Sequence, residues 1–337
     1  MREDTTLSDQ KHHQPSEFEL IATYFKDLTG QAGVALGIGD DGAVINSSQN
    51  HQLIVATDTL VEGVHFPVSA SAGQIATRAL CVNLSDMAAM GAQPRWFTLA
   101  LTLPEEKVNS TWMADFSAGL ADIANRYNIA LVGGDTTSGP LTVSITLLGE
   151  APPEQSLKRS GATVADSIFV TGYLADGAAG LKSASIKNNI YSNSDRLLQR
   201  FYKPQPQIET GLKLRGLATA CIDISDGLVA DLGHICKSSS VTATIYTAQL
   251  PIAADVRQLA PEDCIDWALF GGDEYQLCFT VGADKLAIIE QWISSGELFA
   301  SKIGTIGAAR DSDSLVTILD PDNNPLSANK KGYDHFG

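Results

Sequence analysis

Aspartate residues in this sequence cluster in turns rich in glycine, serine and threonine that directly follow short apolar segments. A further carboxylate, Asp86, lies inside an apolar segment with helical spacing, one turn after Asn83. Short apolar segments bounded by turn residues are typical of β-strands, so the pattern predicts sheets whose acidic side chains collect at one edge. The clusters are Gly39-Asp40-Asp41-Gly42, Thr57-Asp58-Thr59, Gly133-Gly134-Asp135-Thr136-Thr137 and Asp223-Ile224-Ser225-Asp226-Gly227.

Hydrophobic periodicity predicts strands and helices along the whole chain. Residues 97–103 and 142–147 alternate between apolar and polar side chains, as half-buried strands do. Residues 75–90 form a mostly apolar helix that ends at Gly91 and Pro94. Further strands are predicted at 34–38, 43–45, 53–57, 130–132, 167–171, 220–224, 276–281 and 316–319. Further helices are predicted from about residue 16, at 109–127, from about 178, from 228 and at 285–294.

A segment reading Ala-Pro-Pro-Glu-Gln-Ser, at residues 151–156, is the best candidate for a linker between domains. Strands and helices start afresh beyond it, and 337 residues are enough for two hydrophobic cores. We therefore predict an α/β (α+β) fold in two domains. The predicted divisions are a disordered leader at 1–16, an N-terminal domain at 17–150 and a C-terminal α/β domain at 151–337.

Charge and composition exclude several classes of partner. The formal net charge of −16 disfavours nucleic acids and anionic membranes, because both are bound largely through Lys and Arg. The sequence contains no run of about 20 apolar residues, as a membrane-spanning helix requires. Its five cysteines include no Cys-x-x-Cys pair, which favours reduced thiols. We expect a cytoplasmic protein, and any phosphorylated substrate must then reach it with cations that bridge the like charges.

Each acidic cluster has an ordinary structural explanation when it is taken alone. Asp41 with Gly42 suits a hairpin turn, Asp226 can cap a following helix, and Gly134 with Asp135 suits a plain turn. Together they indicate magnesium, which prefers carboxylate, water and phosphate oxygens. Other known signatures fail: the chain has no Walker A motif, Asp40 interrupts the dinucleotide fingerprint, and the histidines lack zinc spacing.

At these motifs the sequence resembles thiamine-monophosphate kinases, members of the superfamily that includes aminoimidazole ribonucleotide synthetase. The resemblance runs in order from about residue 17 to the tail. It implies a two-domain fold whose N-terminal domains pair in a homodimer, with ATP bound near that interface. The segments that carry it are 37–43, 57–66, 83–91, 133–137, Lys158-Arg159-Ser160-Gly161, 223–227, Gly271-Gly272 and Lys331-Gly-Tyr-Asp-His-Phe336.

The resemblance also implies roles for individual residues. It implies that the N-terminal domain binds ATP and metal and forms the dimer contact. It also implies ATP-dependent phosphorylation of thiamine monophosphate to thiamine diphosphate, the last step of thiamine diphosphate biosynthesis. Metal positions are Asp41 (rather than the adjacent Asp40), Thr57, Asp58, Asp86, Asp135, Asp223 and Asp226. ATP contacts are Gly134, Asp135, Arg159 and Ser225, and contacts to thiamine monophosphate are His65, Asp273 and Tyr333.

One segment departs from the family pattern. The family usually reads Gly-Gly-Glu-Asp-Tyr, whereas this chain reads Gly271-Gly272-Asp273-Glu274-Tyr275. If Asp273 meets the substrate, its carboxylate is one methylene shorter than that of the family's glutamate. Glu274 is the alternative, which the sequence leaves open.

The implied chemistry needs no general base. Phosphoryl transfer depends on positioning and on neutralising charge, and the acceptor phosphate, with a second pKa of about 6, is mostly ionised at neutral pH. Mg²⁺ ions and the guanidinium of Arg159 can neutralise the phosphates during this direct in-line transfer. A carboxylate and an aromatic ring can contact the positively charged thiazolium of the substrate.

Rival functions fit less well. A selenophosphate synthetase would have a reactive cysteine near its N-terminus, a hydrogenase-maturation protein would end in cysteine, and aminoimidazole ribonucleotide synthetase lacks the Tyr-Asp-His-Phe ending. An acidic, non-catalytic metal-binding or scaffold protein would explain the net charge. It would not explain the placement of the aspartates or the segment around Arg159.

Overall fold

The computed structural model describes residues 17–29, 33–185, 194–309 and 314–326. In its first half, a small two-stranded sheet and a four-stranded sheet are covered by helices. The predicted leader, 1–16, lies outside the described residues. The elements are α1 (Glu17–Tyr24), β1 (Val34–Leu36), β2 (Val44–Ile45), β3 (Gln52–Val61), α2 (Ala72–Ala89), β4 (Gln93–Leu103), α3 (Ser110–Tyr127), β5 (Ala130–Ser138) and β6 (Thr142–Ala151), with short 3-10 helices at Lys26–Thr29 and Glu105–Lys107.

The second half forms a seven-stranded sheet covered by helices. Its elements are β7 (Ser167–Thr171), α4 (Asp176–Ser185), α5 (Ser194–Tyr202), α6 (Ile208–Leu214), β8 (Ala218–Asp223), α7 (Leu228–Ser239), β9 (Thr242–Tyr246), a 3-10 helix (Thr247–Gln249), α8 (Ala254–Leu259), α9 (Cys264–Phe270), β10 (Leu277–Val281), α10 (Leu286–Ser295), β11 (Ala300–Gly307), β12 (Val316–Leu319) and β13 (Pro325–Leu326). The strand order is β13-β12-β9-β11-β7-β10-β8. Most neighbours are antiparallel, and β12 pairs with β9 in parallel.

The four-stranded sheet has one covered face and one open face. Its strand order is β3-β6-β4-β5, with β4 and β5 parallel and the other neighbours antiparallel. Ile145 and Leu99, on the covered face, are fully buried or nearly so. Leu53 and Val55 lie on the opposite face and are 48% and 60% exposed, which leaves apolar side chains in contact with solvent.

Helix α2 joins the two halves of the molecule. It begins with a capping box, in which Ser71 accepts a hydrogen bond from the Gln74 N–H and the Gln74 side chain accepts one from Ser71. Apolar residues cover nearly its whole circumference, because the four-stranded sheet and α3 lie on one side and α6 and β8 on the other. One continuous hydrophobic core therefore extends from the first half into the second.

Two of the acidic clusters lie inside strands, so their predicted place at strand ends is wrong. β3 continues through Thr57, Asp58 and Thr59 to Val61, and β5 continues through Asp135 to Ser138. Both strands extend because their neighbours β6 and β4 continue to pair with them. Gly134 is needed in β5, since a Cβ at this position would overlap the carbonyl oxygen of Leu99.

The other two clusters lie where the pattern predicts them. Asp40 and Asp41 occupy the loop between β1 and β2, and Asp223 is the last residue of β8. The helix predicted at 75–90 corresponds to α2, with Asp86 in its last turns. No helix among the described residues is long and apolar enough to cross a membrane.

Candidate active site

A cavity of about 1500 Å³ lies between the two halves of the chain. Its walls come from β3 and α2 on one side and from the ends of β8, α4, α7 and α9 on the other. The predicted site residues that line it are Thr57, Asp58, His65, Asp86, Arg159, Asp223, Ser225, Asp226 and Asp273.

Asp58 and Asp86 form the acidic wall of the first half. The register pairs Asp58 with buried Ile145, which puts its side chain on the face of β3 that packs against α2. The Asp58 N–H donates to Oδ1 of Asn83, and the Asn83 amide donates to the Ala79 carbonyl one turn earlier. Asn83 thus fastens β3 to α2 beside the two carboxylates.

Asp223, Ser225 and Asp226 form the opposite wall, where β8 ends. The hydroxyl of Ser85 on α2 donates to Oδ2 of Asp223 over 2.7 Å. The turn after β8 is shaped by Asp231, whose Oδ2 accepts the backbone N–H groups of Ser225 (3.0 Å) and Asp226 (3.1 Å). Gly227, rather than Asp226, is the N-cap residue of α7, so the ordinary capping explanation for Asp226 does not hold.

Burial and mutual repulsion raise the pKa values of these carboxylates. Burial, with smaller contributions from Asp223 and Asp226, raises the pKa of Asp58 to about 6. Burial, Asp223 and Asp58 raise the pKa of Asp86 to about 8, although Arg159 opposes the shift. Burial also raises the pKa of Asp223. Because two like charges in a partly dry site repel each other, a cation that neutralises them would be bound favourably.

The donor set fits a hard divalent cation that brings other ligands with it. Carboxylates are oxygen ligands that magnesium takes, and it usually keeps water and phosphate oxygens as well. The Thr57 hydroxyl lies on the open face of β3, where it shares a hydrogen bond of 2.9 Å with the Thr146 hydroxyl. No three His, Cys, Asp or Glu side chains of the described residues converge into a ready-made metal centre.

Arg159 provides a cation in the cavity wall. Its side chain is exposed, and no described residue forms an ion pair with it, whereas its backbone carbonyl accepts a hydrogen bond from Ser239. A guanidinium without a protein partner can fork onto phosphate oxygens.

His65 and Asp273 lie on a second stretch of the cavity wall. Nδ1 of His65 accepts the Val61 N–H over 3.0 Å, so a neutral His65 carries its proton on Nε2. Oδ1 of Asp273 accepts from Nη2 of Arg78 (2.5 Å) and from the Tyr275 hydroxyl (3.1 Å). Asp273 has a φ of +65°, in the left-handed region, which turns its side chain away from that of Glu274.

Glu274 does not line the cavity. It is 2% exposed, its Oε1 accepts the Gly177 N–H over 3.3 Å, and its Oε2 has no hydrogen-bond partner among the described residues. Burial, with repulsion from Asp176, raises the pKa of Glu274 to about 8. Of the two alternatives that the sequence leaves open, the structure brings Asp273 to the cavity and puts Glu274 behind it.

Asp41, Gly134 and Asp135 line a different cavity, of about 620 Å³. The register places Thr59, Ser144, Ala100 and Asp135 in one row across the open face of the sheet. Thr59 and Asp135 are therefore three strand spacings apart, or about 14 Å. The expectation that the acidic clusters gather at one edge is wrong, because β3 and β5 are opposite edges of this sheet. Tyr333 lies outside the described residues.

Comparisons with known proteins place the chain in a family. Residues 39–151 match the family model "AIR synthase related protein, N-terminal domain". The thiamine-monophosphate kinase of Escherichia coli K12 is 43% identical over 326 residues, covering 95% of this chain and 98% of that protein. The chain belongs to the thiamine-monophosphate kinase family. The kinase of Bacillus subtilis 168 is 35% identical over 327 residues, covering 95% and 99% of the two chains.

Solved structures of the thiamine-monophosphate kinase family have the same fold. The kinase from Stenotrophomonas maltophilia K279a is 40% identical, with a TM-score of 0.79 over 88% of this chain and 93% of that one. AaThiL, complexed with AMPPCP and TMP, is 31% identical, with a TM-score of 0.76 over 95% and 97%. The hydrogenase maturation protein HypE in complex with ATP has a TM-score of 0.76 but is 18% identical, so that likeness concerns the fold alone.

Proposed function

We propose that this protein transfers the γ-phosphoryl group of ATP to thiamine monophosphate, giving thiamine diphosphate and ADP as the last step of thiamine diphosphate biosynthesis. The observation that carries the proposal is the large cavity, whose walls combine half-buried carboxylates of raised pKa with Arg159, a cation that forms no ion pair with any described residue. AaThiL, 31% identical over 95% of this chain, binds an ATP analogue together with TMP.

Magnesium is the ion that this donor set suits. Asp58, Asp86, Asp223 and Asp226 would hold it in the large cavity, and Thr57, whose hydroxyl lies on the open face of β3, is the further metal position that the family resemblance implies. When bound, Mg²⁺ neutralises the phosphate oxygens and the carboxylates together and stabilises the charge of the transferring group. Asp41 and Asp135 would serve the same role from the smaller cavity.

Residues of the cavity have separate roles toward the two substrates. Arg159 provides a fixed positive charge for ATP phosphates, and the half-buried turn at Ser225, held by Asp231, offers further contacts. Gly134 and Asp135 contact ATP from β5. Asp273 and His65 contact thiamine monophosphate, and Tyr333 completes that set.

No side chain needs to act as a general base. The acceptor is an ionised phosphate oxygen, so no proton has to leave before it attacks. The protein's contribution is to align the two anions in line and to exclude water from their meeting point.

A homodimer in which N-terminal domains pair would cover the open face of the four-stranded sheet. This face exposes Leu53 and Val55 and also carries Thr59 and Asp135 at its two edges. Burying apolar side chains favours association, and a second copy is the partner that the family resemblance implies. Such pairing would let residues of both cavities serve one nucleotide. The net charge of −16 disfavours nucleic acids and membranes as partners.

The sheets support the limits of the two domains, and the cysteines support a cellular location. The sheets divide at the end of β6, Ala151, which supports domains at 17–150 and 151–337. All five cysteines are buried and free, which supports a reducing, cytoplasmic location.

The test is formation of thiamine diphosphate by the purified protein from thiamine monophosphate and ATP with Mg²⁺, followed by chromatography with fluorescent thiochrome detection. Thiamine diphosphate should accumulate in proportion to ADP and only when thiamine monophosphate is present. ADP release at the same rate without thiamine monophosphate would contradict the proposal.

A further inference from the structure

Arg78 is a buried cation between the residues proposed to contact thiamine monophosphate. It lies on α2 within an otherwise apolar turn and is 2% exposed, yet its side chain reaches the wall of the large cavity. A guanidinium so deeply buried must satisfy its donors with protein groups. Those groups come from three separate parts of the chain.

The hydrogen bonds of Arg78 fasten two predicted substrate contacts to each other. Nε donates to the backbone carbonyl of His65 over 3.1 Å, and Nη2 donates to Oδ1 of Asp273 over 2.5 Å. Nη1 donates to the carbonyl of Phe201 over 2.7 Å, and the guanidinium lies 4.1 Å from the centre of the Phe201 ring. The turn after β3, the end of α5 and the loop before β10 therefore share one anchor.

The ion pair leaves one oxygen of Asp273 for a ligand. Arg78 and Tyr275 both donate to Oδ1, and no described residue donates to Oδ2. The Asp273 side chain is 22% exposed, whereas that of Arg78 is 2% exposed. A ligand in the cavity thus has far more access to Asp273 than to the guanidinium.

We propose that Arg78 is a positioning residue for thiamine monophosphate, which holds the Asp273 carboxylate and the His65 backbone in the geometry that the substrate meets. This inference rests on the proposed function and adds to it a residue that neither the motifs nor the resemblance selects. The planar guanidinium of Arg78 donates to the Asp273 carboxylate and the His65 carbonyl at once. The ammonium of a lysine at this position could not donate to them in the same directions.

A change in the KM for thiamine monophosphate alone distinguishes a positioning role of Arg78 from a general effect on stability. Arg78→Met should raise the KM for thiamine monophosphate about tenfold or more and change the KM for ATP less than about twofold. Arg78→Lys should recover part of the loss, because it keeps the charge without the fork. Tyr275→Phe removes the second hydrogen bond to Oδ1 and should give a smaller defect of the same kind.

A matched control is Arg257→Met, which removes hydrogen bonds to the backbone carbonyls of Ile252 (3.3 Å) and Leu250 (3.2 Å) outside both cavities. This variant should lower the melting temperature and leave both KM values unchanged. The combination of Arg78→Met with Asp273→Asn should raise the KM for thiamine monophosphate no further than the larger single effect, because both changes remove one coupled unit.

The experiment measures both KM values and the melting temperature of these variants beside the wild-type protein. Equal changes in both KM values, unchanged kinetics in Arg78→Met, or additive effects in the double variant would overturn the positioning role. If Arg78→Met does not fold, the KM values of Arg78→Lys and Tyr275→Phe for the two substrates are compared instead, and equal changes in both KM values would again overturn the positioning role. A wild-type protein that forms no thiamine diphosphate would instead refute the proposed function, so the two failures are distinguishable.

Discussion

The hydroxyl of Ser85 donates a 2.7 Å hydrogen bond to Oδ2 of Asp223, and this contact joins α2 to the end of β8 directly behind the wall of the large cavity. Both residues are buried. The bond orients a carboxylate that has no other side-chain donor among the described residues, and it stabilises the ionised form of Asp223 against its burial. The acidic walls of the two halves are thus held at a fixed spacing by one serine.

Replacing Ser85 with alanine should weaken Mg²⁺ binding without unfolding the protein. A hydrogen bond to a charged group contributes about 1.5 to 3 kcal/mol, so the Mg²⁺ concentration for half-maximal activity should rise roughly 10- to 150-fold. Titrating activity with Mg²⁺ measures this. Ser183→Ala is the matched control, since Ser183 is also buried but donates to the Ala179 carbonyl within α4. Equal effects of the two changes would contradict a specific role for Ser85.

Without Mg²⁺ the folded protein should lose stability as the pH rises from 6 to 8. The folded-state pKa values of Asp58 (about 6) and Asp86 (about 8) lie above the ordinary value, so the folded state holds protons that the unfolded state has released. Their stabilising effect is complete below the ordinary aspartate pKa of 3.8, and it is lost as the pH rises from there to about 6 for Asp58 and to about 8 for Asp86. Melting temperatures in EDTA should therefore fall over this range, and Mg²⁺ should restore them.

Asp86→Asn should make that pH dependence shallower, because it removes one of two carboxylates whose pKa is about 8, while Glu274 keeps the other. The exposed Asp122, which pairs with Lys203, provides the control variant Asp122→Asn, whose profile should follow the wild type. A melting temperature in EDTA that rises between pH 6 and 8 would contradict the electrostatic description of the cavity.

Asp58→Asn and Asp135→Asn should each reduce turnover roughly 100-fold or more while the fold persists, since both remove a charge proposed to bind metal. The comparison is informative because the two residues line different cavities of one chain. Steady-state kinetics with circular dichroism as the fold check measure both. Normal turnover in Asp135→Asn would restrict the metal site to the large cavity.

Arg159→Ala should raise the KM for ATP with little change in stability, because its exposed side chain has no described protein partner to lose. Lys158→Ala is the control, since Lys158 is an exposed neighbour outside the cavity. ATP titrations at saturating thiamine monophosphate decide the point. If the two variants have the same KM for ATP, Arg159 is merely a surface charge.

The sequence alone predicts most of the aspartates that line the large cavity. Asp86 could be selected because a carboxylate inside an apolar helix needs a partner. The same argument applies to Arg78 in that helix and would have found it. The positions of Thr57 and Asp135 within strands could not be read from the sequence, because pairing with β6 and β4 depends on distant residues. For the same reason, β9 and β11 are not among the strands that the sequence predicts.

Distant contacts also decide between Asp273 and Glu274. Nothing local distinguishes the two carboxylates, whereas Arg78 and Tyr275 draw Asp273 to the cavity and Gly177 holds Glu274 in the interior. Likewise, Asp231 shapes the turn at Ser225 and Asp226 from a position in α7 where an acidic residue looks ordinary.

Direct transfer between the two substrates is the central claim, and a radiolabel tests it most directly. The protein is incubated with Mg²⁺, thiamine monophosphate and ATP labelled with ³²P at the γ-position, and the products are separated by chromatography. We predict that the label appears in thiamine diphosphate in equimolar amount with ADP, and that Asp58→Asn forms almost none. Label found only in inorganic phosphate, with no labelled thiamine diphosphate, would contradict the account.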